Sequence, residues 1–254
     1  IGHNALNNQN FTTATDTYNV AIGYNTGLAV TTGQYNVLVG GLTGDAITDA
    51  DYNVAMGYLA LSANTLGSRS TAIGTVALAA QNFTTATDAY NTAVGYQAGG
   101  SVTTGVQNTF LGGLSGDALT DADYNAGLGF GTLSTDTLGS KSTAVGYAAL
   151  QNQNFTTATD SFNTAVGYEA GNSVTTGIED TLIGALAGDA LTTGKENVAV
   201  GYRSLSGDTQ GKRSIAIGKD ALRFQNFTTA TETYNVAVGH AAGEAVTTSQ
   251  SNTL

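Results

Sequence analysis

Apolar and polar positions alternate with a period of two over short stretches, and the stretches return at fixed intervals along the whole chain. The clearest copy is Asn91-Thr92-Ala93-Val94-Gly95-Tyr96. One residue before each repeat glycine stands Ile, Val, Leu or Met, as at Ile22, Met56, Leu111 and Val238, and three before it stands mostly Val or Thr. Between them lies mostly Ala, as at Ala21, Ala72, Ala144 and Ala216. Alternation of this kind predicts a short strand with two unlike faces, because successive side chains of a strand point to opposite sides. A glycine in every copy argues against helices, where it costs about 1 kcal/mol relative to alanine. The bulkier face is expected to line an interior, and the Ala/Gly face to lie outside against another backbone.

The repeat glycines occupy positions 2, 23, 40, 57, 74, 95, 112, 129, 146, 167, 184, 201, 218 and 239. Successive intervals read 21, 17, 17 and 17, and this set of four recurs as a super-repeat that makes Gly23, Gly95, Gly167 and Gly239 equivalent. Each motif opens with Asn, Ser or Asp, for example Asn19, Asn91, Ser142, Asp180 and Asn235. Such side chains hydrogen-bond nearby backbone, and when stacked they are expected to form a corner ladder. One short strand per turn cannot make a sheet alone, but stacking turn upon turn does. The predicted fold class is therefore all-β, a parallel β-solenoid of 17- and 21-residue turns in 72-residue super-repeats. Residues 1–254 are expected to form a single array, read as a window of a longer fibre. A face of small residues repeated along one side predicts self-association as a closed, cyclic oligomer.

Composition narrows the function. Asp and Glu number 19 against 8 Lys and Arg, a formal charge of −11, which disfavours nucleic acid and anionic lipid as partners. There is no Cys, so disulfides and thiol chemistry are excluded. No stretch approaches the apolar length of a membrane helix, so no membrane insertion is expected within this segment.

The motifs Asn19-Val20-Ala21-Ile22-Gly23-Tyr24 and Asn91-Thr92-Ala93-Val94-Gly95-Tyr96, followed by Gln97-Ala98-Gly99 or, at Tyr147, by Ala148-Ala149-Leu150, resemble the head repeats of YadA-like trimeric autotransporter adhesins and the related repeats of bacteriophage tail fibres. The resemblance covers essentially the whole chain. It implies a homotrimer of left-handed β-rolls outside the cell, on a virion tail fibre or a bacterial surface, and a role in adhesion or host attachment. The turns are longer than those heads commonly use, and the regular super-repeat suits a fibre shaft. A tail-fibre shaft is the leading expectation, an adhesin head or stalk the second and an ice-binding solenoid the third, the last suggested by the Thr-Thr-Ala-Thr segments.

Candidate chemistry is sparse. His3 and His240 each follow a repeat glycine, a slot that holds Tyr24, Tyr96 or Tyr168 in other copies, and no nucleophile–base pair is apparent, so no enzyme activity and no cofactor are expected. Asp45, Asp49 and Asp51, repeated as Asp117, Asp121 and Asp123, have a spacing that could gather oxygen ligands for Ca²⁺, although no closing Glu follows and a solvated acidic loop explains them as well. The long fourth turn carries aromatic pairs, Phe83 with Tyr90, Phe155 with Phe162 and Phe227 with Tyr234, which could either pack beneath the loop or contact a host-cell glycan or protein.

Overall fold

A computed structural model describes residues 1–254, which form two compact units, 1–125 and 126–254. Each is a parallel β-solenoid, and neither contains a helix. In the first unit the main sheet comprises Val20–Ile22, Val37–Val39, Val54–Met56, Thr71–Ile73, Thr92–Val94 and Thr109–Leu111. The second contains Ala126–Leu128, Thr143–Val145, Thr164–Val166, Thr181–Ile183, Val198–Val200, Ile215–Ile217 and Val236–Val238. Equivalent positions pair in register, Val20 with Val37 and Ile22 with Val39 in one unit, Val198 with Ile215 and Val200 with Ile217 in the other. Each long turn also pairs with the short turn before it in a second, two-stranded sheet: Gly67–Ser68 with Thr87–Asp88, Gly139–Ser140 with Thr159–Asp160, and Gly211–Lys212 with Thr231–Glu232.

The repeat glycine is fixed by backbone sterics. Gly95 has φ +141°, and a Cβ there would meet the carbonyl oxygen of Gly112 on the next turn at 2.5 Å. Any other residue would be both strained and in collision with the chain stacked on it.

The sidedness of the sheet is the reverse of the expectation. The middle residue of each strand points inward: Leu38, Ala55, Ala72, Ala93 and Phe110 are fully buried, as are Ala144, Ala165, Leu182, Ala199 and Ala216. The flanking β-branched and aliphatic residues point outward, with Val20 at 45%, Ile22 at 42% and Val238 at 59% exposure. Large apolar residues do line the interior, but they come from the opposite wall. Val30, Ile47, Leu61, Leu78, Val102 and Leu119 fill it in the first unit, and Leu133, Leu150, Val174, Leu191, Leu205 and Leu222 in the second. That wall leaves room mostly for Ala beneath the sheet.

Where a strand carries a larger inward residue, glycines in its own turn and in the turn before make space. A Cβ at Gly116 would lie 2.4 Å from the Phe110 ring, and one at Gly171 would lie 2.6 Å from Leu182 Cδ1. In the two remaining turns of each super-repeat, whose strands carry Ala or Gly, the equivalent position after the repeat glycine is Leu61, Leu78, Leu133, Leu150, Leu205 or Leu222. The super-repeat is thus a volume code, since a close-packed interior must balance large against small at each level.

The opening Asn, Ser or Asp of the motifs lies inside, and its Asn members form the expected ladder. Asn91 Nδ2 donates to Gly105 O at 2.7 Å, and its Oδ1 accepts the Asn108 N–H at 2.9 Å. The bend itself falls one residue earlier, at Tyr35 (φ 57°) or Tyr90 (φ 52°).

Candidate interaction surface

Because Asn91, Ala93 and Gly95 turn inward, Tyr90 and Tyr96 are exposed on either side of the outward Thr92 and Val94. The outer sheet face of each unit therefore presents a band of Val, Ile, Leu, Met and Thr between two rows in which aromatics alternate with charged and small residues, the aromatics being denser in the first unit. Six rungs at about 4.8 Å, and a band roughly 15 Å wide, make on the order of 400 Å² of contiguous, largely apolar surface in the first unit alone. Patches of that size on soluble proteins mark interaction sites.

In the row that precedes the Asn ladder, Tyr18, Tyr35 and Tyr52 stack with centroids 5.3 and 4.8 Å apart and planes within 14°. The Arg69 guanidinium continues this stack, 4.9 Å from the Tyr52 ring and 5.8 Å from the Tyr90 ring. In the second unit Lys141 lies over Phe162 at 5.2 Å and Arg213 over Tyr234 at 5.7 Å. Arg213 also pairs with Glu196 at 2.9 Å and Glu232 at 2.7 Å. The Glu196 carboxyl is held below the ordinary range, first by its hydrogen bond to that guanidinium. In the row that follows the repeat glycine, His3 stacks on Tyr24, and Phe130, Tyr147 and Tyr168 stack at 5.9 and 5.4 Å.

The aromatic pairs of the long turn are split by the fold. Phe83, Phe155 and Phe227 are buried beneath their loops, and the Phe155 and Phe227 N–H groups donate to Asp136 Oδ1 and Asp208 Oδ1 at 2.9 and 3.0 Å. Tyr90, Phe162 and Tyr234 are half-exposed, but they belong to the row beside the sheet and not to the loop. A cation stands over one face of each. The sequence picked the exposed three through their pairing with a loop Phe, and it missed the row they join. The neighbours in that row, Tyr18, Tyr35, Tyr52 and Tyr124, sit one residue before each motif and could have been read from that offset.

The acidic candidates do not converge on one point. Asp49 Oδ1 accepts the Thr32 hydroxyl and Asp51 Oδ1 the Gln34 N–H at 2.7 Å. In the next copy Asp121 takes the Thr104 hydroxyl and Asp123 the Val106 N–H. These carboxylates fasten a turn to the one before it. Asp45 and Asp117 lie apart from them, each with one shielded oxygen lacking a partner, and burial raises both carboxyls above their usual range. No three His, Cys, Asp or Glu side chains gather as a cation site would require.

The chain matches no family model, no curated protein and no solved structure. No helix is long and apolar enough to cross a membrane.

Proposed function

We propose that the chain is the structural shaft of a phage or phage-like tail fibre that serves host attachment, without catalysis or cofactor, and that it assembles through the outer sheet face. The observation that carries this reading is the contiguous, largely apolar band of outward strand residues with exposed aromatics at its edges, which favours a cover in water. The Ala/Gly column, expected to be the assembly face, is interior, so the Val/Ile/Thr face takes over that role. Parallel, in-register rungs give every level of the face the same chemistry, and a second copy of the same chain presents a matching one. Threefold closure and left-handed winding rest on the resemblance of the Asn-x-Ala-x-Gly-Tyr motifs to trimeric adhesin and tail-fibre repeats.

A bacterial trimeric adhesin, outside the cell and binding a host glycan or protein, is the second reading supported by those motifs. Within the stacks of either row the rings cover one another's faces, which leaves edges and hydroxyls for a partner. A flat sugar platform is therefore less suited to these rows than a protein surface. The ice-binding reading gains no support, since the Thr-Thr-Ala-Thr segments stand on long loops that come only once in each super-repeat.

The test of assembly is light scattering on the purified chain, with three times 25.6 kDa as the expected mass. Replacing outward Val94 and Ile73 with Asp should give a folded monomer. A wild-type monomer at micromolar concentration would refute the assembly face. Fibre and adhesin separate by whether antibodies raised to the chain decorate virions or bacterial envelopes.

A further inference from the structure

The buried ladder carries Ser in place of Asn at Ser70, Ser142 and Ser214, and a carboxylic acid at one level only, Asp180. At the Asn levels the side-chain amide donates to the carbonyl fourteen residues further on, as from Asn36 to Ala50, Asn91 to Gly105, Asn163 to Gly177, Asn197 to Gly211 and Asn235 to Ser249, at 2.7–3.0 Å. Its oxygen accepts the N–H of the equivalent residue on the next turn. Asp180 occupies the level between Asn163 and Asn197. Its N–H donates to Asn163 Oδ1 at 3.0 Å, and its Oδ1 accepts Asn197 N–H at 2.9 Å and Asn197 Nδ2 at 3.1 Å. Half the pattern is thus intact.

The other half lacks a hydrogen. Asp180 Oδ2 is fully shielded and has no partner, although by the ladder's geometry it faces the carbonyl of Gly194. The glycine column records their proximity: a Cβ at Gly177 would sit 2.4 Å from Gly194 O and 3.0 Å from Asp180 Oδ2. Two acceptor oxygens, one carrying formal charge, would face each other in a dry interior. The two other fully buried carboxylates, Asp136 and Asp208, are treated differently. Asp136 receives the N–H groups of Gly139 and Phe155 and the Gln153 amide, and Asp208 receives those of Gly211, Phe227 and Gln225, so their charge is matched by three donors.

We infer that Asp180 is a neutral carboxylic acid in the folded chain at neutral pH, its Oδ2–H donating to Gly194 O in place of the ladder amide, so that one rung is sensitive to alkali. Burial is the leading cause that pushes this carboxyl from 3.8 up to about 8. The charged groups that bear on it both lie on the next turn. Glu196 opposes its ionisation and Lys195 favours it. Its sequence neighbour Glu179 is exposed.

The sign follows from linkage. A carboxyl whose folded pKa lies above its unfolded one gives stability that is complete below about 4, declines as the unfolded chain ionises, and is fully lost once pH passes about 8. The test compares the full chain with Asp180→Asn in denaturant titrations from pH 4 to pH 9.5. The unfolding constant of the wild type relative to the variant should rise by up to about tenfold per pH unit in that window and then level off. The protection of the Asn197 amide, relative to its base-catalysed intrinsic exchange rate, should fall as pH rises through about 8 in the wild type only. Infrared spectra at pH 6 should show a protonated-carboxyl band that Asp180→Asn lacks. Parallel pH curves, absence of that band, or failure of the Asn variant to fold would each overturn the inference, and none depends on how the chain assembles.

Discussion

At the scale of single residues, two columns are fixed by the backbone and not by apolar burial. Gly95→Ala should destabilise the chain by about 2 kcal/mol or more, because it forces both a left-handed φ and a contact with Gly112 O. Calorimetry checks this, and a change within error would show that the rung can shift to admit a methyl group. Asn91→Ala strips hydrogen bonds from Gly105 O, Gln81 Oε1 and the Asn108 N–H, all shielded from water. A loss of about 3 kcal/mol is expected, since orphaned buried polar groups cost roughly 1–3 kcal/mol each. Asn91→Asp is a sharper probe, as it should import the alkali sensitivity assigned to Asp180. The ion pairs along the outer row, such as Arg69 with Asp88, are exposed and screened by water, so they should contribute little to stability.

At the scale of the turn, stability comes from matching two walls across a narrow interior. Phe110 fills a level where Leu38 and Leu182 stand in the neighbouring super-repeats, so Phe110→Leu should cost only about 1 kcal/mol. Gly116→Ala should cost more, because its methyl would enter the Phe110 ring, whereas at Gly44 the nearest Leu38 atom lies 3.0 Å away. The double variant Phe110→Leu with Gly116→Ala should therefore recover part of the loss, with a coupling on the order of 1 kcal/mol in a double-mutant cycle. This pairing also shows what the sequence made legible. Period, strand positions and the Asn ladder are written in the spacing of Gly, Asn and the aliphatic residues. Sidedness was not, because alternation states that Val94 and Ala93 face opposite ways without stating which way is in. The choice is made by Leu61, Leu78 and Val102, which stand in segments without the two-residue alternation of a strand and supply bulk to the interior. The aromatic pairs misled for a similar reason. Phe83 and Tyr90 are close in sequence, but one closes the loop's underside and the other begins the next strand face.

At the scale of the molecule, each turn contacts mainly the turns above and below, so damage should stay near its source. Hydrogen exchange in Gly95→Ala should rise most around the strands Thr92–Val94 and Thr109–Leu111, while the strand Val198–Val200 keeps wild-type protection. The outer face acts at a different range, since its exposed aliphatic residues have no cover within the chain. Charge placed at Val94 should dissociate an oligomer without unfolding the rung, a separation that light scattering and circular dichroism together can resolve. The alternation of glycine and leucine inside carries one more consequence, for heredity. Whole super-repeats can be gained or lost with every seam still fitting, so removal of the segment 23–94 should yield a shorter, well-folded protein. Excision of a lone short turn would bring bulk against bulk, or leave a void. Length in a gene of this design can drift only in large, discrete steps.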